Sequence, residues 1–201
     1  MNKLVVSLLL TLGVAGAATA AQPVMGDAAA GQAKTAVCGA CHNPDGNSLA
    51  PNFPKLAGQG QRYLEKQLHD IKSGKRTVLE MTGMLAAFSD QDLADIAAYF
   101  ASQKGSVGAA DPALVERGRA LFNGGDLDKG MPACTGCHSP NGAGIALAGF
   151  PHLSGQHAQY VSKQLTDFRE GNRTNDGDAM TMRTIAGKLS NHEIQALASY
   201  L

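Results

Sequence analysis

Apolar residues recur at three- and four-residue spacing in separate stretches of this chain, and the pattern predicts helices only. From about residue 61 to 73, Tyr63, Leu64, Gln67, Leu68 and Ile71 form one stripe that reads as a core-facing helix side. Two further helices are announced by capping boxes, Ser89-x-x-Asp92 and Ser190-x-x-Glu193. A helix after Asp27 is expected to run through the alanine-rich segment to Val37. Another is expected to start at Asp111 and Pro112 and to carry Leu114, Val115, Gly118, Leu121 and Phe122. The expected fold class is all-α.

The elements come in two sets. Phe53-Pro54-Lys55-Leu56-Ala57-Gly58-Gln59 recurs as Phe150-Pro151-His152-Leu153-Ser154-Gly155-Gln156. Tyr63, Lys66, Gln67, Leu68 and Asp70 align with Tyr160, Lys163, Gln164, Leu165 and Asp167, all 97 positions later. In the closing helices, Leu93, Ile96, Ala97, Tyr99 and Phe100 match Ile194, Leu197, Ala198, Tyr200 and Leu201 at an offset of 101. Four residues have therefore entered the second copy between its middle and last helices, and a polar loop, residues 123–131, has entered before its cysteine motif. A duplicated unit of this size implies two tandem domains of one fold. The small, polar segment 102–110 marks the boundary, giving domains 21–104 and 105–201.

Residues 1–20 are of another kind: Lys3, an apolar run from Leu4 to about Ala15, then Ala18-Thr19-Ala20. This is the form of a secretory signal peptide, too short in its apolar part for the ~20 residues that span a bilayer. Export from the cytoplasm is the expectation. Seventeen basic and seventeen acidic residues balance without any basic run, so nucleic acid is not expected as a partner. Aromatic residues are scarce at 5% and tryptophan is absent, which leaves small helical domains short of packing material. A planar apolar cofactor in each core would supply it.

All four cysteines lie in two motifs, Cys38-Gly39-Ala40-Cys41-His42 and Cys134-Thr135-Gly136-Cys137-His138. C-x-x-C-H attaches c-type haem: the thiols add to the porphyrin vinyl groups and the histidine lies under the iron. Two covalently bound haem c groups are expected. A redox disulfide would call for a βαβ setting, and zinc on Cys2His would need a fourth ligand that is not evident. Pro54 and Pro151 follow the histidines by 12 and 13 residues, and their carbonyls can take the imidazole N–H. Met81 and Met84 precede the first closing helix, and Met180 and Met182 the second, as candidates for the sixth iron ligand. His69, His152, His157 and His192 have no histidine counterpart and read as surface residues.

These paired motifs, the F-P-x-L-x-G-Q segment and the runs M-P-A-C-T-G-C-H and Q-L-T-D-F-R-E-G-N-R-T-N-D-G-D together resemble the cytochrome c4 family over the whole chain after residue 20. The resemblance implies two class I cytochrome c domains, each with a His/Met-ligated haem, exported to the periplasm and often associated with the membrane. Carried over by motif, attachment falls to Cys38, Cys41, Cys134 and Cys137, and the axial pairs are His42 with Met81 and His138 with Met182. The register of the closing helices gives the same pair, because Met81 falls on Met182 whereas Met84 falls on Ile185 and Met180 on Leu79. Residues 72–77 form a shorter segment than the family's loop at that place, which bears on solvent access to the first haem.

The function so implied is that of an electron carrier, not an enzyme. It would take electrons from a donor such as a bc1-type complex and pass them to an acceptor such as a terminal oxidase, with peripheral membrane association. The rivals are a diheme peroxidase-like enzyme with one open haem, and a haem subunit of a larger redox complex. A methionine candidate in both halves speaks against the enzyme.

Overall fold

The computed structural model describes residues 25–201. The expected signal peptide lies outside the described residues. In the first half, α1 (Ala28–Gln32), the single turn α2 (Gly39–His42), α3 (Gln61–Lys72) and α4 (Asp90–Ser102) follow in order, with a 3-10 turn at Leu79–Met81. The second half repeats them as α5 (Val115–Gly124), α6 (Thr135–His138), α7 (Ala158–Glu170) and α9 (Asn191–Tyr200), and adds α8 (Thr181–Ala186). Strands are absent among the described residues, apart from isolated bridges at Asp126–Met131 and Ile145–Phe150.

Helix starts follow their local chemistry. Ser89 and Ser190 each accept from the third backbone N–H of their helix, and Asp92 and Glu193 reach back to the cap, so both capping boxes form. The Asp27 carboxylate caps α1, but that helix stops at Gln32 and turns carry the chain on, short of the expected Val37. Similarly, α5 starts only at Val115: the Asp111 carbonyl accepts from both Leu114 and Val115, which makes residues 112–114 a turn around the proline.

The first and last helices of each half cross at a glycine. A Cβ on Gly31 would lie 2.0 Å from the Asp95 carbonyl oxygen, and one on Gly118 would lie 2.1 Å from that of Ala196. Only a hydrogen fits at either crossing. Around the crossings, Leu64, Ile96, Ala97 and Phe100 form one small core, and Leu121, Phe122, Met131, Leu189, Ile194 and Leu197 the other. Cys38 packs against the first and Cys134 against the second.

The two halves meet through a reciprocal set of bonds. Gln59 accepts from the His152 backbone N–H and donates to the His152 carbonyl, both at 2.8 Å. Its counterpart Gln156 does the same to Lys55, both at 2.9 Å. His152 and His157 are therefore interface residues rather than the surface residues expected: His157 Nε2 lies 2.9 Å from the hydroxyl and the carbonyl of Ser48 in the other half. The stripe of α3 is corrected likewise. Leu64 and Leu68 join the core, but Tyr63 and Gln67 turn to polar partners in the second half.

Candidate functional site

Each C-x-x-C-H motif is wound into one helical turn. The His42 backbone N–H donates to the Cys38 carbonyl and that of His138 to the Cys134 carbonyl, both at 2.9 Å. One turn sets the two thiols three residues apart and the histidine four from the first, so all three side chains share a face. The next residue breaks the helix in the same unusual way in both halves: Asn43 has φ +62° and Ser139 φ +63°. Residues without a glycine's freedom hold this left-handed region at a cost on the order of 1 kcal/mol, so its repetition marks a constrained place.

The turn sends each histidine inward. His42 is 6% exposed and His138 8%. His42 Nδ1 donates to the Pro54 carbonyl at 2.8 Å and His138 Nδ1 to that of Pro151 at 3.1 Å. This bond sets the tautomer and leaves Nε2 with a bare lone pair, the arrangement a metal-ligating imidazole needs. Burial lowers the pKa of both rings, against the smaller opposite pull of the prolyl carbonyls, and so favours the neutral form. Phe53 and Phe150 stand edge-on to the rings at 6.2 and 6.4 Å between centroids.

Burial pushes the Cys134 thiol up to about 11 and raises Cys38 as well. A redox-active C-x-x-C pair needs an easily formed thiolate, which these environments oppose. Among the described residues, no three His, Cys, Asp or Glu side chains converge as a zinc cluster would require. Paired thiols, a neutral buried histidine with Nε2 available and an undersized apolar core beside them fit a covalently attached haem.

Of the methionine candidates, Met81 and Met182 are half-buried, whereas Met84 is 41% and Met180 48% exposed. Met81 ends the 3-10 turn and Met182 lies in the first turn of α8. Equivalent places in sequence thus sit on different local structures.

One group was missed in the sequence. Arg76 and Arg173, 97 positions apart like their neighbours, are each 8% exposed at the interface between halves. Arg76 donates to Gln67, Gln164 and the Tyr160 hydroxyl, and Arg173 donates to Gln164, Gln67 and the Tyr63 hydroxyl. Neither forms an ion pair among the described residues. A guanidinium does not deprotonate, and burying one without an anion costs several kcal/mol. The carboxylates of a porphyrin are anions of the kind this pair lacks. The repeated arginine in an otherwise aligned segment was the signal available.

The cytochrome c family profile matches residues 28–104 and again 115–201. The chain is 75% identical over 201 residues to cytochrome c4 of Pseudomonas aeruginosa, covering 100% of this chain and 98% of that one. The crystal structure of reduced recombinant cytochrome c4 from Pseudomonas stutzeri superposes with a TM-score of 0.86 at 71% identity, over 87% of this chain and 97% of that one. A more distant relative, 37% identical over 81% of this chain and 76% of its own, is a thiosulfate dehydrogenase electron acceptor from Stutzerimonas stutzeri.

Proposed function

Since the chain belongs to the cytochrome c4 family, and so is a carrier of two covalently bound haem c groups, we propose that it passes electrons between respiratory proteins in the periplasm. The donor in this reading is a bc1-type complex or a periplasmic dehydrogenase, and the acceptor a terminal oxidase. The relative that accepts electrons from thiosulfate dehydrogenase supports the dehydrogenase as donor. Residues 1–20 are read as the signal peptide that exports it, with haem domains over 21–104 and 105–201. No helix among the described residues is long and apolar enough to cross a membrane, and any membrane association is read as peripheral.

Cys38 and Cys41 hold the first haem and Cys134 and Cys137 the second; His42 with Met81, and His138 with Met182, are the axial pairs. The bound haem supplies an iron that exchanges one electron between its ferrous and ferric states. The protein's part is to keep that exchange cheap. Pro54 and Pro151 hold the imidazoles in one orientation and tautomer. Arg76 and Arg173 place positive charge at the interface between the domains, where it would balance the carboxylates of bound haem.

The observation that carries this reading is the repeated bond from histidine Nδ1 to a prolyl carbonyl, which leaves the Nε2 lone pair of both histidines available to an iron. Carbon monoxide titration of the reduced protein tests it. A carrier with both sixth positions filled binds little carbon monoxide. Rapid binding at half of the haem would favour a peroxidase-like enzyme instead.

A further inference from the structure

The segment that carries Met182 is held by a clasp that the segment carrying Met81 lacks. Asp176 Oδ1 accepts from Arg183 Nε at 2.7 Å, and Oδ2 accepts from the Arg183 backbone N–H at 2.9 Å. This carboxylate is buried, its side chain 4% exposed. Arg183 Nη2 also donates to the carbonyls of Thr174 and Gly177, at 3.3 and 3.2 Å, so one guanidinium ties down the turn that leads into α8. Between them stands Met180 with φ +47° and ψ +37°, a left-handed conformation that a methionine keeps only where its surroundings hold it.

Among the described residues, the first domain offers nothing comparable. In the register of the closing helices Arg183 falls on Thr82, which is exposed. Among the described residues, no side-chain hydrogen bond or ion pair ties the chain from Met81 to Ala87, which is held by backbone turns and by the buried side chain of Leu85. Gly83, at φ +77°, has open space around it. The four residues inserted in the second copy lie between its middle and closing helices, the stretch that contains Asp176 and its turn.

We propose that Arg183 and Asp176 are a positioning pair that keeps the Met182 thioether on its iron, so that a competing ligand displaces methionine from the first haem well before the second. The proposal rests on the reading of Met81 and Met182 as axial ligands. A closed segment held by charge-assisted hydrogen bonds must lose them to swing the sulfur away, whereas the first domain's segment opens without that cost. Displacement here is a ligand exchange: an incoming nitrogen replaces the sulfur and no electron moves.

The test mixes the ferric holoprotein with saturating imidazole and follows loss of the far-red thioether-to-iron absorption. Two phases are expected, with Met81→Leu removing the fast one and Met182→Leu the slow one. Asp176→Asn and Arg183→Gln should each speed the slow phase about tenfold, the factor that ~1.4 kcal/mol represents, and leave the fast phase alone. These two changes shift the local charge in opposite directions, so acceleration by both marks the clasp and not the field at the iron. Arg183→Lys, the mildest change, keeps the charge but not the fork and should fall between; it carries the test if the others fail to fold. A single phase in the unmodified protein, or a slow phase indifferent to all three changes, would overturn the proposal. Should Met182→Leu leave both phases at full amplitude, the ligand reading fails instead.

Discussion

Arg76 and Arg173, from opposite halves of the chain, donate to the same atom: the side-chain carbonyl of Gln67 lies 2.9 Å from one guanidinium and 3.0 Å from the other. Gln164 repeats the arrangement at 2.8 and 2.7 Å. Like charges would repel across such a pair in a protein interior, so their neutral partners orient them without neutralising them. In the reading proposed above, the carboxylates of the two haems would supply the negative charge that these two guanidinium groups lack.

Replacing Arg76 with Leu removes one member of that pair, leaves the Tyr160 hydroxyl without its donor and leaves Gln67 and Gln164 with Arg173 as their one guanidinium partner. Stability should fall by about 1–3 kcal/mol, the usual cost of unpaired buried polar groups. Both reduction potentials should fall as well, because the lost positive charge had disfavoured the ferric state. Thermal melts and spectroelectrochemical titration measure the two effects. Unchanged potentials would mean that the guanidinium does not act on either iron.

Much of this was legible in the sequence because the decisive features are local or repeated. The capping boxes, the C-x-x-C-H turns and the prolyl acceptors depend on contacts within about a dozen residues, and they formed where the spacing placed them. Long-range features were not legible in this way. Gln67 reads as amphipathic filler on a helical stripe, and only packing of the second half against the first reveals it as an acceptor for two arginines. His152 and His157 looked exposed because each lacks a counterpart, yet a residue at an asymmetric interface need not have one. Arg183 and Asp176 lie seven residues apart with no helical spacing to join them, and the left-handed Met180 that folds them together leaves no sequence signal of its own.

Gly118→Ala tests the crossing of α5 over α9. The added methyl would sit 2.1 Å from the Ala196 carbonyl oxygen and 2.6 Å from Tyr200 Cβ, and backbone on that side cannot yield as a side-chain tip would. The helices must move apart, costing roughly 1–3 kcal/mol or more by overpacking, despite alanine's better helix propensity. Denaturant unfolding should show the loss. A neutral or stabilising result would contradict the close approach.

Glu193 makes the second domain sensitive to acid. Burial alone would raise its pKa, but Lys129, the Ser190 backbone N–H and Arg117 together outweigh that and bring it from 4.5 to about 2. A carboxylate with a depressed folded-state pKa contributes stability that is complete above its unfolded value and is lost as pH falls towards the folded one. The loss should therefore develop between about pH 4.5 and 2 and amount to ~3 kcal/mol. Glu193→Gln should be less stable at neutral pH and show a correspondingly flatter decline in acid, read from denaturant midpoints across that range. An equally steep decline in the variant would assign the acid sensitivity to other groups.

The axial methionines can be separated by four single substitutions. Sequence register pairs Met81 with Met182, and these two are half-buried while Met84 and Met180 stand 41% and 48% exposed. A thioether that reaches an iron inside the domain must leave solvent, whereas a packing methionine at the rim need not. Leucine preserves the volume and the apolar character and removes only the sulfur's lone pair, so the fold should survive and the coordination should not. Met81→Leu should abolish half of the far-red thioether absorption, lower the potential of that haem and open it to carbon monoxide. Met182→Leu should do the same to the other half. Met84→Leu and Met180→Leu should leave absorption, potentials and carbon monoxide binding nearly unchanged. If Met84→Leu removed the first domain's absorption and Met81→Leu did not, the two domains would deliver their sulfurs from different places, and the duplication would no longer determine the ligand.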